Sequence, residues 1–104
     1  MTSNQALQGM LGLACRAGQM QSGCDLAVSL IRSGKAALAL MDENASPNTK
    51  KRILDSAAFY HVQAAELPGG MLENACGKPG RMVCALQKGG IADKIIAMIN
   101  QEQI

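Results

Sequence analysis

The sequence predicts an α/β protein, a three-layer α/β/α sandwich whose central mixed sheet has about four strands. Two continuous apolar runs, AALALM at 36–41 and RMVCAL at 81–86, have the length and composition of strands that are covered on both faces. Stretches with apolar residues at helical spacing lie before, between and after these runs. Such alternation places helices on both faces of a sheet, and 104 residues suit a single domain, residues 1–104.

Two helices and a short strand are predicted before the first apolar run. Gly18 is placed to end the first helix in a left-handed conformation, and QMQS at 19–22 follows as a short strand candidate. Gly23 starts the second helix, where the Asp25 carboxylate suits the positive end of the helix dipole, and Gly34 is its predicted stop. The first helix has an apolar face of Leu7, Met10, Leu11 and Ala14. The second has a predicted buried stripe of Leu26, Ala27, Leu30 and Ile31.

The second half of the chain opens with a strong helix start, with Ser46 as N-cap and Pro47 at the first helical position. VQAAE at 62–66 is a strand candidate, PGGMLENACG at 68–77 holds a short helix between glycines, and the last helix runs from about Gly90. The helix after the N-cap has a predicted core face of Ile53, Leu54, Ala57 and Ala58. The last helix has a predicted apolar stripe of Ile91, Ile95 and Ile99.

Composition limits the possible classes of function. A hydrophobic fraction of 48% argues against disorder, and one Phe, one Tyr and no Trp leave an aliphatic core. A net charge of +2 excludes a strongly basic, histone-like polyanion binder, so any contact with nucleic acid has to be local. The adjacent residues Phe59 and Tyr60 cannot form the row of aromatic side chains on which many single-strand binders stack bases.

The cysteines and the N-terminal residues predict a reducing, cytoplasmic environment. The 4 cysteines include no CxxC pair, and the single His offers no partner at the short spacing that is typical of a zinc site. MTSNQALQGML at 1–11 lacks the basic region and the long apolar stretch of a signal peptide. We therefore expect free thiols, no metal, no cofactor and no membrane association.

No set of residues converges on a catalytic mechanism, so we predict that the protein is not an enzyme. The single imidazole, His61, suits a surface or satisfied histidine far better than a catalytic base. Cys24 lies in the first turn of a helix, where the dipole favours a thiolate, but an adjacent carboxylate opposes this effect. CGKPG at 76–80 is similar to a phosphate-binding loop, but Leu72 replaces the required first glycine and Pro79 replaces the required hydroxyl residue.

Basic residues lie where a negatively charged partner could contact them. Lys50, Lys51 and Arg52 fall in the first two turns of the helix that Ser46 caps, and the helix dipole disfavours each cation there by about 0.3 kcal/mol or more. A solvated helix face, with Lys51 near Asp55 one turn later, explains this run as well as contacts with an anion do. The other basic residues at or near predicted loops suggest a rim for a polyanion: Arg16, Lys35, Lys78 and Arg81.

The polar junction between the first two helices, RAGQMQSGCD at 16–25, is a second candidate contact surface. Gly23 lets another backbone approach closely, and the amides of residues 24–26 point outward from a helix N-terminus. Asp25 can accept hydrogen bonds from base amino groups. On composition alone, glycines that only punctuate helices are the simpler explanation of this junction.

Three segments resemble bacterial YlxQ-type proteins, which belong to the ribosomal-protein superfamily of L-seven-Ae and L-thirty-e. They are LGLACRAGQMQSG at 11–23, IRSGKAALALMDENASPNTKKRI at 31–53 and CGKPGRMVCAL at 76–86. ASPNTKK at 45–51 is the most distinctive piece, and the resemblance covers nearly the full chain, from about Leu7 to Ile99. It implies an L-thirty-e-like α/β/α sandwich that binds RNA, typically kink-turns, which are sharply bent duplexes with tandem sheared G·A pairs.

The resemblance also implies two places of contact: the first turn of the second helix and the loop before the last strand. By that match, the Gly-x-Asn-Glu pattern of the family falls on Gly23, Asp25 and Leu26, and the loop covers Lys78, Gly80 and Arg81. Asn44 falls where many relatives carry an acid. Asp25 in place of Asn removes an amide donor, and Leu26 in place of Glu removes an acceptor; one good bidentate base contact contributes about 1–3 kcal/mol of discrimination.

We predict a non-enzymatic, monomeric RNA-binding protein that is associated with ribosomes or translation and recognises kink-turn or other structured RNA. Gly23 permits close approach of the RNA, the Asp25 carboxylate reads bases and the cations neutralise phosphates. We expect the loops that carry these residues to converge at one end of the sandwich. Two alternatives stay open: a protein-interaction module on the same fold with RNA binding lost, and a thiol-based redox sensor that uses Cys24. The predicted contact residues are Gly23, Asp25, Leu26, Lys35, Asn44, Lys50, Lys51, Lys78, Gly80 and Arg81.

Overall fold

A computed structural model describes residues 3–102 and contains four strands and five helices. Helices and strands alternate as the apolar pattern predicts, with β1 as the shortest strand and α4 as the shortest helix. None of these helices has the length and apolar character that a membrane crossing requires. In chain order the elements are α1 (Ser3–Arg16), β1 (Met20–Ser22), α2 (Cys24–Arg32), β2 (Ala36–Asp42), α3 (Pro47–Phe59), β3 (Gln63–Leu67), α4 (Met71–Cys76), β4 (Val83–Gln87) and α5 (Gly90–Glu102).

The four strands form one mixed sheet in the order β1-β4-β2-β3. Strand β4 runs antiparallel to both of its neighbours, β1 and β2, whereas β3 runs parallel to β2. The ends of β1, β2 and β3 therefore meet the beginning of β4 at the same edge of the sheet. We call this edge the carboxyl end; the loops and the first turns of helices at this edge contain most of the predicted contact residues.

Helices cover both faces of the sheet, which confirms the predicted three-layer sandwich. Successive side chains of β2 alternate between two apolar clusters, because neighbouring residues of a strand point to opposite faces. Leu38 and Leu40 pack in a cluster with residues of α1, α4 and α5, whereas Ala39 and Met41 pack in a cluster with residues of α2 and α3. All four of these side chains are buried, as the continuous apolar run indicates.

Two local signals in the sequence are confirmed at helix ends. The Ser46 Oγ accepts a hydrogen bond from the Thr49 amide at 3.2 Å, and Pro47 occupies the first turn of α3. Gly18 has a φ of 73°, so the chain leaves α1 through a left-handed residue, which glycine adopts at little cost. Caps of this kind depend on neighbouring residues only, and this is why the sequence alone predicts them well.

Three residues predicted for buried helix faces are exposed instead, and these predictions were wrong. Leu54 and Ala58 of α3 face solvent, while Ile53 and Ala57 are buried. Leu26 of α2 is 56% exposed. In both helices the buried stripe is narrower than the apolar pattern, because one side of each helix packs against the sheet and the flanking apolar positions lie beyond that contact.

The strand limits also differ from the predicted ones. Strand β4 begins at Val83 and not at Arg81, and β3 covers Gln63–Leu67 and not 62–66. Gly80, with a φ of 79°, leads the chain into β4 through a turn, so Arg81 lies in the approach to the strand. This shift places the Arg81 side chain in the loop at the carboxyl end.

A buried carboxylate holds the carboxyl end of the sheet together. Asp42, the last residue of β2, is 1% exposed and is the one buried charged residue in the described part of the chain. Its Oδ1 accepts from the Asn44 amide at 2.7 Å, and its Oδ2 accepts from the Gly70 amide at 2.8 Å. Its own amide donates to the carbonyl of Met82 at 2.6 Å. One residue thus joins the loops that follow β2 and β3 to the loop that precedes β4.

We expect Asp42→Ala to lower the free energy of unfolding by roughly 3 kcal/mol, because hydrogen bonds to a charged group contribute about 1.5–3 kcal/mol each and two backbone donors lose their acceptor. Urea denaturation measures the change. Asp55→Ala is the matched control, since Asp55 pairs with Lys51 on an exposed helix face and such pairs contribute about 0.2–1 kcal/mol. Equal losses in the two variants would contradict the bridging role of Asp42.

Candidate nucleic-acid interface

Four segments meet at the carboxyl end of the sheet and form what we call the carboxyl-end surface. They are the start of α2 at 23–26, the β2–α3 loop with the first turns of α3 at 43–52, the β3–α4 loop at 68–70 and the α4–β4 loop at 77–82. The sheet register sets their proximity, because β1 and β2 end beside the first residues of β4. The two places of contact that the resemblance implies therefore lie at the same end of the sandwich.

Gly23 brings the start of α2 against the α4–β4 loop. Its amide donates to the carbonyl of Val83 at 2.9 Å, and its φ of 99° belongs to a conformation that side chains with a Cβ rarely adopt. A Cβ at this position would lie 3.5 Å from the Nη1 of Arg81. Glycine is thus required by the backbone, and its missing side chain leaves the guanidinium of Arg81 directly beside the helix start.

The N-terminus of α2 presents backbone amides that have no acceptor within the helix. The first intrahelical bond runs from the Ala27 amide to the carbonyl of Gly23, at 2.9 Å. Gly23 is the N-cap and has no side chain that could accept from the amides of residues 24–26. These amides and the positive end of the helix dipole favour an anion or a hydrogen-bond acceptor at this position.

The carboxylate of Asp25 is occupied by a cation from the neighbouring helix. Its Oδ1 lies 2.8 Å from the Nη1 of Arg52, which also donates to the Sγ of Cys24 at 3.4 Å. The hydrogen bond to Asp25 raises the pKa of Arg52 above its usual value. Sequence reasoning missed Arg52 as a site residue, since the two partners lie far apart in the chain and only the packing of α2 against α3 brings them together.

Lys50 and Lys51, which the sequence predicts as contacts, are both paired within the protein. The Nζ of Lys50 donates to the carbonyl of Glu43 at 2.7 Å and lies 3.4 Å from the Oε2 of Glu66. The Nζ of Lys51 lies 3.0 Å from the Oδ2 of Asp55, one turn later on α3. The solvated-face explanation of this basic run therefore describes Lys51, and Lys50 joins α3 to the end of β3.

The cations of the α4–β4 loop are not paired in this way. Within residues 3–102, neither Lys78 nor Arg81 forms an ion pair, and the buried Nε of Arg81 has no hydrogen-bond partner. Gly77 and Gly80 both adopt left-handed conformations, which turn the loop and present Lys78 to solvent. The loop thus carries two uncompensated positive charges, which a phosphate group would neutralise, and that of Arg81 lies beside the start of α2.

Asn44 is positioned by a glycine in the neighbouring loop. A Cβ on Gly69 would lie 2.5 Å from the Nδ2 of Asn44, so a larger residue there would displace the amide side chain from this position. The backbone of Asn44 is held by Asp42, whose carboxylate also accepts from the residue after Gly69. Sequence reasoning noticed neither Gly69 nor Asp42, because the contact of Gly69 with Asn44 and the bonds of Asp42 to Gly70 and Met82 join residues that are distant in the chain.

Lys35 lies at the opposite end of the sheet and is separated from the other predicted contacts. Its carbonyl accepts from the amide of Lys88 at 2.9 Å, and it precedes β2, whereas the carboxyl-end surface follows β2. The expected convergence of the predicted residues at one end therefore does not include Lys35.

The two aromatic residues contact each other at the end of α3. Phe59 is 76% exposed and packs edge-on against Tyr60.

Among the remaining chemically reactive side chains in the described part of the chain, the thiols of Cys15, Cys76 and Cys84 lie near one another. His61 is exposed and has a φ of 58° in the turn after α3. Cys84 is buried in β4, as its apolar surroundings predict, and the other cysteines are half-buried free thiols. Among residues 3–102, no group of three or more His, Cys, Asp or Glu side chains is arranged to hold a metal ion.

A sandwich with this strand order, and with helix α2 starting beside the α4–β4 loop, defines an α/β/α domain of the L-seven-Ae/L-thirty-e class. The fold agrees with that of a protein of unknown function from Bacillus halodurans, with a TM-score of 0.84 and 30% identity over 90% of this chain and 96% of that one. It also agrees with that of the 15.5 kDa RNA-binding protein of Giardia lamblia, with a TM-score of 0.74, 16% identity and coverage of 97% and 88%. The second similarity is one of fold alone.

Two curated relatives identify the family. The chain is 37% identical over 92 residues to the RNA-binding protein YlxQ of Bacillus subtilis, and the aligned region covers 88% of this chain and 92% of that protein. It is 34% identical over 98 residues to the RNA-binding protein YlxQ of Enterococcus faecium, with coverage of 93% and 94%. No protein-family model matches the sequence. The chain belongs to the YlxQ family, which confirms the resemblance found in its sequence motifs.

The thiol of Cys76, at the end of α4, supplies a pH-dependent prediction. Burial raises its pKa to about 11, and the nearby Cys15 thiol contributes to the shift. Only about one thousandth of this thiol is ionised at pH 8, so we expect slow alkylation by iodoacetamide, which accelerates about tenfold per pH unit towards pH 11. Because the folded-state pKa is raised, the protonated thiol stabilises the fold below pH 9, and this contribution is lost as the pH rises to about 11.

Mass spectrometry of the alkylated peptides measures the rate at Cys76, with the urea-unfolded protein as the reference for an unshifted thiol. Alkylation of the folded protein at pH 8 as fast as that of the unfolded chain would contradict the burial of this thiol.

Proposed function

We propose that the protein binds RNA at its carboxyl-end surface and has no catalytic activity. The observation that carries this proposal is the position of Arg81, whose Nη1 lies 3.5 Å from the site of a Cβ on Gly23. An unpaired guanidinium thus stands beside a helix N-terminus that no side chain caps. The names of both YlxQ relatives as RNA-binding proteins support the same conclusion.

Structured RNA fits this surface better than a single strand does. The charged groups and backbone amides suit phosphates and base edges, whereas the exposed aromatic pair Phe59–Tyr60 lies at the far end of α3, away from the surface. Stacking along a row of aromatic side chains is the usual mode of single-strand binders, and this chain does not provide such a row. Recognition by shape and by backbone contacts is the usual mode for structured RNA.

Different residues of the surface have different roles in the proposed contact. Gly23 and Gly80 let the RNA backbone approach, and the side chains of Lys78 and Arg81 neutralise phosphates. Asp25, Leu26 and Asn44 face base edges. Lys50 and Lys51 neutralise carboxylates of the protein, and Lys35 lies at the other end of the sheet, so we leave these three lysines out of the proposed contact surface.

The finer proposal is that the RNA is a kink-turn or a similarly bent duplex, that the protein acts as a cytoplasmic monomer and that it is associated with ribosomes or translation. A bent duplex exposes base edges that the deep major groove of a regular RNA helix hides. The carboxyl-end surface combines groups for base edges with groups for phosphates, and a bend brings both kinds of RNA group to one place.

A protein-interaction module is the second candidate function. Leu26 is 56% exposed at the start of α2, and the three cations at 50–52 are all paired with carboxylates of the protein. An apolar side chain amid balanced charges would suit a protein partner as well as RNA. The salt dependence of binding separates the two functions, because phosphate contacts release counterions.

We expect the protein to bind a kink-turn RNA more tightly than an unbent duplex of the same length, with affinity that falls as salt rises. A gel shift with both RNAs at two salt concentrations measures this. Each neutralised phosphate adds about 0.7–0.9 to the slope of log affinity against log salt. Equal and feeble binding of both RNAs would instead favour the protein-interaction module.

We expect the double variant Lys78→Ala/Arg81→Ala to weaken binding of both RNAs and to reduce the salt slope by roughly 2, because two phosphate contacts are lost. The control is Lys35→Ala/Lys88→Ala, which removes the same charge at the opposite end of the sheet. Circular dichroism monitors the fold of both variants. Equal effects of the two double variants would show that bulk charge, and not the α4–β4 loop, determines affinity.

A further inference from the structure

Asp25 and Arg52 form the one ion pair that joins α2 to α3 in the described part of the chain. The 2.8 Å contact uses Oδ1 of the carboxylate and Nη1 of the guanidinium. The same Nη1 donates to the Sγ of Cys24, which gives the guanidinium a second anchor at the start of α2. Two anchors on consecutive residues hold the guanidinium across the first turn of that helix.

The pair keeps unused hydrogen-bonding capacity on its solvent side. The Asp25 side chain is 88% exposed and that of Arg52 is 53% exposed. The carboxylate has a second oxygen, Oδ2, and a guanidinium carries five N–H donors, of which the pair uses those on Nη1. An acceptor and several donors therefore stand side by side at the rim of the carboxyl-end surface.

The charge of the pair decides which part of an RNA it suits. Asp25 and Arg52 together carry no net charge, so they offer a phosphate little attraction, and the exposed carboxylate repels it. The unpaired cations of the α4–β4 loop, Arg81 beside Gly23 and Lys78 in the same loop, are better placed for phosphates. A base edge, by contrast, is neutral and presents its own donors and acceptors.

We propose that Asp25 and Arg52 act as one unit that reads a base edge on which an exocyclic amino group stands next to a ring-nitrogen acceptor. The proposal rests on RNA binding at the carboxyl-end surface. The free Oδ2 accepts from the amino group, and a guanidinium N–H donates to the ring nitrogen. Adenine presents this order at N6 and N7, whereas guanine presents two acceptors at N7 and O6, which a guanidinium alone would suit.

Arg52 is thus a specificity-determining residue whose function depends on Asp25. The pair also explains why a cation is placed in the first turns of α3, at the unfavourable end of the helix dipole. Such a base edge is accessible in RNA where the duplex is bent or unpaired, so the unit would contribute to preference among RNAs.

The test removes the pair without changing the net charge. We expect Asp25→Ala/Arg52→Ala to reduce the preference for kink-turn RNA over an unbent duplex by about 5- to 150-fold, which corresponds to about 1–3 kcal/mol. The salt slope should stay unchanged, because no phosphate contact is lost. The control Lys51→Ala/Asp55→Ala removes a similar exposed pair from the same helix and should preserve the preference.

A charge-reversed variant, Asp25→Arg/Arg52→Asp, provides a second measurement. It keeps an ion pair between the helices but exchanges the positions of donor and acceptor, so we expect the preference to fall as in the alanine variant. Thermal unfolding followed by circular dichroism checks that all variants retain the fold. A fall in preference in both variants, with the control unchanged, supports the proposal.

Four other outcomes are informative. An unchanged preference in the alanine variant would overturn base reading by the pair, and so would a uniform loss of affinity with a smaller salt slope, which would make Arg52 a phosphate contact. If the unaltered protein binds RNA but does not prefer the kink-turn, the base-reading proposal fails while RNA binding stands. If the unaltered protein binds neither RNA, the proposed function itself fails.

Discussion

The carboxyl-end surface depends on a single buried carboxylate. Asp42 accepts from the amides of Asn44 and Gly70, and its own amide bonds to the carbonyl of Met82, the residue after Arg81. Three loops with few apolar residues of their own are therefore held by one residue at the end of a central strand. A buried charge of this kind is costly unless it is fully hydrogen-bonded, so the backbone donors in these loops are a condition of the fold.

This constraint connects the core to the candidate site. Strand β2 is buried on both faces, so its position is set by the two apolar clusters, and Asp42 transmits that position to the loops. The α4–β4 loop is then ordered next to Gly23 by the bond between the Gly23 amide and Val83. Unpaired cations can be held in such a place because the backbone, and not the charged groups, determines the loop geometry.

Much of the fold could be predicted from the sequence because its signals are local. The Ser46–Pro47 start of α3, the left-handed Gly18 and the apolar run of β2 depend on neighbouring residues, and the structure confirms them. The exposure of Leu26 and Leu54 could not be predicted in the same way, since helical spacing does not show how wide the contact with the sheet will be. The prediction that Lys35 lies at the same end of the sheet as the other contacts was wrong for a related reason. A loop residue can be assigned to one end of a sheet only when the strand directions are known.

The partners of the site residues were still harder to predict. The approach of Arg52 to Asp25 and of Gly69 to Asn44 depends on how whole elements pack. No pattern in the sequence marks either contact, and the Gly-x-Asn-Glu pattern of the family covers Asp25 but not its partner. A basic run that looks uniform in the sequence therefore contains residues with different functions in the structure, because each of its cations meets a different carboxylate.

The distribution of charge also limits how the protein could hold RNA. Its net charge is +2, and the cations at 50–52 are balanced by Glu66, Asp55 and Asp25. The two unpaired cations of the carboxyl-end surface, Lys78 and Arg81, would neutralise at most a few phosphates, which gives weak binding to an arbitrary duplex. Higher affinity then requires that the backbone amides at the start of α2 and the polar side chains of the surface form hydrogen bonds with the RNA while Lys78 and Arg81 contact its phosphates. A straight duplex hides its base edges in the deep major groove, whereas a bent one presents them beside its phosphates. Under the proposed function, a surface with so little excess charge would select an RNA by its shape and not by its charge.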